Sequence, residues 1–338
     1  MQQKKKNSIV KRVYDRTRRH FSNPTLVCSI ENTTSCNLKC QFCPHSNLNL
    51  KVEFISTQMW DLAITQITEL YTNSNYKMLR ISYGGLGEPL LHPKFLEHLQ
   101  NLKKRLPDAK IQLDTNGVLL DSGKADAIIE NKLVDTLSIS LNAPTKELYN
   151  ALMLSDKFDL VLKNLQCFVA KRNSLNSKIK VSVCVKDTDA CRNDNIVIKS
   201  LLDTILSDQD SFYINDILNW GGKIDVDSFK SESELKPIDF PCYGIIMISN
   251  VVIDLHGNVY PCCCSMGDER ENSYLVLGNI QNKPLKDIWN NDKHKKLKKS
   301  MMRGEFSNIV PCKNCTMYSD DMYNLFFTNP FPIGPKFF

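Results

Sequence analysis

Leu137-Ser138-Ile139-Ser140-Leu141-Asn142 is apolar at every odd position and polar at every even one. A period of two marks a strand whose two faces meet different surroundings. The alternation recurs in Ile111-Gln112-Leu113-Asp114, with Asn116 beyond it. It recurs again in Val181, Val183 and Val185, set against Lys180, Ser182, Cys184 and Lys186. Strands covered by apolar side chains on both faces read instead as near-continuous hydrophobic runs. Here the apolar set must face covering helices and the polar set the inside. Such an interior is a lumen that holds something, not a packed core.

On either side of this stretch, short β-rich runs fall at 26–30, 78–83, 111–114, 137–142, 179–185 and 211–217. Helical patterns separate them at 57–71, 93–106, 145–152, 160–170 and 195–206. In the first of these, Met59, Leu62, Ala63, Ile67 and Leu70 recur at helical spacing. Strands alternating with helices imply βαβ units and parallel pairing. Six units suit a partial, open barrel better than a closed eight-fold one. The expected fold class is therefore α/β: a partial (β/α)6 barrel over 26–225, behind an N-terminal extension at 1–25. After Trp220 the pattern changes. Gly221 and Gly222 end the barrel, and 223–236 reads as a linker. A smaller cysteine-rich α+β unit spans 226–325, followed by a tail at 326–338.

The chain has 338 residues and a net charge of +6. Lys4, Lys5, Lys6, Lys11, Arg12, Arg16, Arg18 and Arg19 stand against Asp15 alone in the first twenty residues, so the rest is close to neutral. The arm reads first as a solvated extension, since a charge run alone supports nucleic-acid or carrier binding only weakly. No apolar stretch is long enough to span a bilayer and the N-terminus is polar. The expected location is the cytoplasm, with no membrane partner. Disulfides are rare in that compartment, so thirteen cysteines call for metal binding or catalysis.

Three of these cysteines form Cys36-Asn-Leu-Lys-Cys40-Gln-Phe-Cys43, directly after the first strand. Three closely spaced thiolates can hold three irons of a 4Fe–4S cube and leave the fourth open. A Cys3His zinc site using His45 is the alternative. Near the C-terminus, Cys242 is followed by Gly257, Cys262 and then Cys312-Lys-Asn-Cys315. The glycine permits a hairpin that brings Cys242 and Cys262 together. By spacing alone, these four thiolates suit a 4Fe–4S cluster and a structural zinc equally.

The C-x3-C-x2-C spacing, with Phe42 before the third cysteine, resembles the radical S-adenosylmethionine (SAM) superfamily. Gly84-Gly85-Leu86-Gly87-Glu88-Pro89 resembles that family's GGEP motif, spread by one residue. Thr115-Asn116-Gly117 ends the third strand, and Ser140 and Asn142 on the fourth resemble its polar SAM-binding pair. The resemblance implies Cys36, Cys40 and Cys43 as cluster ligands, and Phe42, Gly85, Gly87, Glu88, Pro89, Asn116, Ser140 and Asn142 at the SAM site. C-x14-G-x4-C after such a barrel looks like the opening of a SPASM domain. With no cysteine after Cys315, it resembles the shortened twitch form with one auxiliary cluster on Cys242, Cys262, Cys312 and Cys315.

The implied cofactors are SAM and two 4Fe–4S clusters, with a flavodoxin or ferredoxin as electron donor. The implied activity is hydrogen abstraction by a 5′-deoxyadenosyl radical from a sugar- or aminocyclitol-like small molecule, ending in dehydrogenation or epimerisation. Peptide modification is the alternative. A non-enzymatic metal- or nucleic-acid-binding module ranks last, and nucleic acid is not expected as a partner. For the fate of the substrate radical, the inward-facing Cys184 and Cys263, next to Cys262, are candidate hydrogen donors. Lys186, on the face of Cys184, is a candidate substrate-binding group or base.

Overall fold

The computed structural model describes residues 24–48, 50–229, 249–266, 275–303, 305, 308–309 and 312–315. The basic arm through residue 23, Cys242 and the tail lie outside the described residues. Chain order runs β1 (Thr25–Ile30), α1 (Thr57–Thr72), β2 (Met78–Tyr83), α2 (Phe95–Arg105), β3 (Lys110–Thr115) and α3 (Ser122–Glu130). Then come β4 (Thr136–Asn142), α4 (Lys146–Met153), α5 (Phe158–Ser174), β5 (Lys180–Asp187), α6 (Asn195–Ile205) and β6 (Ser211–Asp216). The C-terminal part adds β7 (Ser249–Ile253), β8 (Asn258–Tyr260), β9 (Gly278–Asn279), α7 (Leu285–Trp289) and α8 (Asp292–Met302).

The six expected strands pair in parallel, each beside the next in sequence. The sheet does not close on itself: its order is β6-β5-β4-β3-β2-β1-β7-β8-β9. The partial barrel is therefore present. The strand β7, beyond the 225/226 boundary expected from sequence, pairs in parallel with β1, from Leu26↔Ser249 to Ile30↔Ile253. The antiparallel β8 and β9 continue from it. One sheet thus runs from the barrel into the C-terminal unit.

The two faces of the strands divide as the alternation requires. Ile111, Leu113, Leu137, Ile139, Leu141, Val181, Val183 and Val185 are all buried in one apolar cluster with the helices. Ser82, Gln112, Asp114, Ser138, Ser140, Cys184 and Lys186 line a cavity on the other face. The helix α1 shows what holds the outer layer. Ser56 caps it by accepting from the Met59 N–H at 3.1 Å, which contributes ~1 kcal/mol. Met59, Trp60, Ala63, Ile64, Ile67 and Leu70 are buried along its inner stripe. Each large apolar side chain there contributes ~1.5–3 kcal/mol, so burial rather than capping decides the helix.

At the basal end, where the strands begin, Arg172 and Asp210 form an ion pair with both side chains fully buried. Asp210 also accepts from the Val181 and Ser207 N–H groups at 2.7 and 2.9 Å. Arg172 donates to the Ile179 carbonyl at 3.0 Å. The pair binds α5 to the start of β5 and to the turn into β6.

Candidate active site

The loops at the C-terminal ends of β1 to β4 meet over the open lumen. The stem 31–35 after β1 is fixed first. Glu31 N–H donates to Ile253 O at 2.9 Å and Thr34 N–H to Glu53 O at 3.1 Å. The glycine-rich turn after β2 lies directly on this stem. A Cβ at Gly87 would stand 2.5 Å from both the Thr33 and Ser35 carbonyl oxygens, and one at Gly85 2.5 Å from the Glu31 Cγ. No side chain fits at either position. The approach lets Glu88 N–H donate to Ser35 O at 2.7 Å.

The carboxylate of Glu88 is buried and clasps the next loop. It accepts from Thr115 Oγ1 at 2.6 Å, Asn116 N–H at 2.8 Å and Leu90 N–H at 3.1 Å. Burial pushes its pKa up to about 7, against the pull of these donors. Asn116 in turn donates through Nδ2 to Asn37 Oδ1 at 2.8 Å, tying the turn after β3 to the cysteine loop. At the end of β4, Asn142 takes a left-handed φ of 62°, where its register with β5 shifts. Asparagine tolerates that conformation better than most residues.

One cavity of about 250 Å³ collects this set. It is lined by Cys36, Cys40, Cys43, Phe42, Gly85, Gly87, Glu88, Pro89, Asn116, Ser140 and Asn142. Every barrel residue expected at the SAM and cluster sites therefore faces one space. The donor chemistry and the glycine cradle fit an iron–sulfur cluster with SAM bound to it. Burial raises the thiols, Cys36 to about 11 and Cys40 to about 12, so loading a metal here releases protons. His45 is not among the residues lining this cavity, and its Nε2 lies 2.7 Å from the Thr34 carbonyl.

A second cavity of about 320 Å³ shares Gly85, Gly87, Asp114, Ser140, Lys186, Leu218 and Trp220 with the first. Cys184 and Cys263 both line it, and Lys186 lines both cavities, with Nζ 5.5 Å from the Phe42 ring centre. Sequence reasoning singled out these three residues but missed Ser82, Asp114, Ser138, Tyr213 and Asn215 in the same wall. The polar phase of the strands was the available signal.

Cys262, Cys263 and Cys264 bring their sulfurs within 4.8 Å of one another, and Cys264 also meets Cys315. Cys262 and Cys312 pack against one apolar cluster of Leu275, Leu297, Met301 and Ile309. Lys223 bridges this group to the barrel. Its Nζ donates to the Met266 carbonyl at 2.8 Å, while Asn47 of the first cysteine loop donates to the Lys223 carbonyl at 3.3 Å.

Comparison with known proteins agrees with this geometry. Residues 30–178 match the Radical SAM superfamily and 242–316 match SPASM, an iron–sulfur cluster-binding domain. GTP 3′,8-cyclase of Chlorobaculum tepidum is 32% identical over 41% of this chain, a match that spans only 39% of that relative. The S-adenosyl-L-methionine-dependent 2-deoxy-scyllo-inosamine dehydrogenase of Niallia circulans is 24% identical over 86% of this chain and 92% of its own. Among solved structures, native anSMEcpe with bound AdoMet and Cp18Cys peptide superposes with a TM-score of 0.60 at 20% identity. That match covers 86% of this chain and 89% of that one. No described helix is long and apolar enough to cross a membrane. With the fold, the cavity and both domain matches in agreement, the chain carries a radical SAM domain, which implies SAM and a 4Fe–4S cluster, and a C-terminal SPASM domain, which implies an auxiliary iron–sulfur cluster.

Proposed function

We propose that this enzyme acts on a carbinol carbon of a sugar- or aminocyclitol-like small molecule, by dehydrogenation or epimerisation. The observation that carries the reading is the second cavity. Its wall of Ser82, Gln112, Asp114, Ser138, Ser140 and Asn215 offers hydroxyl, amide and carboxyl groups, which suit a compact polyhydroxylated substrate. In this reading Cys36, Cys40 and Cys43 hold the catalytic cluster. Phe42, Gly85, Gly87, Glu88, Pro89, Asn116, Ser140 and Asn142 surround SAM. Cys242, Cys262, Cys312 and Cys315 hold the auxiliary cluster. With SAM and its cluster bound, the family chemistry supplies a 5′-deoxyadenosyl radical that takes a hydrogen atom from substrate. The protein's part is to place the carbon and exclude water.

Lys186, at the junction of the two cavities, would hold a substrate oxygen. The S–H of Cys184 or Cys263 would return a hydrogen atom if the outcome is epimerisation. A flavodoxin- or ferredoxin-class protein would supply the starting electron. The resemblance over nearly its full length to an aminocyclitol dehydrogenase supports the choice of substrate class. A peptide substrate is the second reading, favoured by the likeness to a structure holding a bound peptide.

The test is anaerobic turnover of 2-deoxy-scyllo-inosamine and related cyclitols in deuterated solvent. Carbon-bound deuterium in the product identifies epimerisation, and a ketone product identifies dehydrogenation. If cyclitols and sugars leave SAM cleavage uncoupled from product while a peptide is modified, the second reading replaces the first.

A further inference from the structure

Asp114, named above only as one polar group of the substrate wall, lines both cavities at the point where they meet. It lies on the inward face of β3. Its carboxylate accepts from Gln112 Nε2 at 2.7 Å and Ser82 Oγ at 2.8 Å, and it hydrogen-bonds Ser138. A carboxylate has about four acceptor positions, so one remains for a substrate hydroxyl.

The hydroxyl groups do not stop there. Tyr213 on β6 hydrogen-bonds both Ser138 and Ser182, and Ser182 Oγ lies 2.8 Å from Ser211 Oγ. Ser182 and Ser211 line a different cavity, of about 630 Å³, at the basal end of the barrel. Ser82 and Gln112 belong to its wall as well as to that of the second cavity. A chain of side-chain oxygens thus crosses the barrel floor, in the order Asp114, Ser138, Tyr213, Ser182, Ser211. Every hydroxyl in it can donate and accept at once, as proton transfer along a chain requires.

We propose that Asp114 is the proton acceptor of the reaction and that this hydroxyl chain conducts the proton through the barrel floor to the basal cavity. The proposal rests on the carbinol reading above. After a hydrogen atom leaves the carbinol carbon, forming the carbonyl breaks the O–H bond. The proton goes to an Asp114 oxygen and one electron goes to a one-electron acceptor of the iron–sulfur class. The proton then moves by successive O–H exchange, each oxygen giving up one hydrogen as it gains another.

The charged and titratable groups around Asp114 are consistent with this role. Burial raises its pKa above the ordinary carboxyl range, which makes it a better base when ionised. Asp114 in turn acts as a like charge on Glu88, in the loop after β2. Tyr213 is held neutral by burial, with Cys184 and Asp114 adding to the shift. Lys186 from β5 is the cation in the shared wall. At the far end, Arg80, Lys110, Lys178 and Lys180 line the basal cavity with Asp135 and Asp210. Both acids are already paired, to Lys103 and Lys110 and to Arg172. The resulting positive basin draws in anionic buffer able to carry the proton away.

The test uses the full-length, cluster-loaded enzyme with 2-deoxy-scyllo-inosamine deuterated at the reacting carbon. In Asp114→Asn, deuterium should still pass to 5′-deoxyadenosine while ketone formation falls ~10²–10⁴-fold, the usual range for loss of an acid–base group. Tyr213→Phe, which removes one oxygen and little volume, should slow ketone formation and change its solvent isotope effect and its dependence on buffer concentration. Independently of turnover, infrared titration should show a carboxylic acid band that is absent from Asp114→Asn. Loss of no carboxylic acid band on that substitution, beside the band that Glu88 contributes in both proteins, or ketone formed at the wild-type rate by Asp114→Asn, overturns the proton-acceptor role. Wild-type rate and isotope effect in Tyr213→Phe overturn the relay. If no cyclitol is oxidised by the wild type while the band behaves as described, the substrate reading has failed and the buried acid stands.

Discussion

At the scale of single residues, two positions around the first cavity decide most. Gly87 rests against two backbone carbonyls that cannot retreat without disturbing the stem of the cysteine loop. Gly87→Ala should therefore destabilise the protein by ~1–3 kcal/mol, the usual penalty for forcing volume into a packed site. Calorimetry reads the unfolding shift, and SAM binding should weaken at least tenfold because the cradle moves. Glu88 makes a prediction with a sign. Its pKa is raised from 4.5 to about 7 by burial, so the folded state holds its proton where the unfolded chain has lost it. Stability from this group is present below pH ~4.5 and declines as pH rises to ~7, by on the order of 3 kcal/mol at ~1.4 kcal/mol per unit. Denaturation at a series of pH values should show that decline in the wild type and a flatter profile in Glu88→Gln. The same variant should lose SAM affinity, because an amide cannot accept from Thr115, Leu90 and Asn116 together.

At the scale of elements, the buried Arg172–Asp210 pair is the point of greatest dependence. Removing one partner leaves a charge with no water to receive it. Asp210→Asn should cost ~3–5 kcal/mol, read as a lower denaturation midpoint with an unchanged slope. All six barrel strands were legible in the sequence because period-two patterning is a local signal that follows burial. The helix α3 was not. It is nine residues long, contains Gly123, and buries only Ala125, Ile128 and Ile129, so its periodicity is short and faint. The Asp121 cap, which accepts from Lys124 N–H at 2.9 Å, was the one available sign. The helices α7 and α8 were missed for a related reason. Five residues make α7 too short for a pattern, and α8 carries a polar run, Asp292-Lys-His-Lys-Lys, with few apolar positions. In the site, the cysteine and glycine motifs were legible because their chemistry needs fixed residue types at fixed spacing. Asp114 was not, because a polar residue on an inward strand face looks the same whether it lines a wall or does chemistry. The bond from Lys223 to Met266 was also hidden, since a side chain meeting a backbone carbonyl forty-three residues away leaves no trace in sequence.

At the scale of the whole molecule, two cysteine groups at opposite ends of the chain flank one continuous pair of cavities. Fully loaded protein should contain about eight irons per chain, and replacing Cys36, Cys40 and Cys43 together by Ala should remove about four of them and all SAM cleavage. Replacing Cys312 and Cys315 should remove the other four and lower solubility, because metal binding there contributes to folding of the unit. Iron analysis of anaerobically purified protein reads both outcomes. The sheet connecting the two groups has a further consequence for how the protein is made. The partner of β1 on one side is β7, more than two hundred residues later in the chain. Ribosomes add ~5–20 residues per second, so the free edge of β1 waits roughly 10–50 s after synthesis before its neighbour emerges. An unpaired edge is a template for pairing with other nascent chains. Yield of this enzyme in a host cell should therefore depend on translation speed and chaperone supply as much as on iron and sulfide.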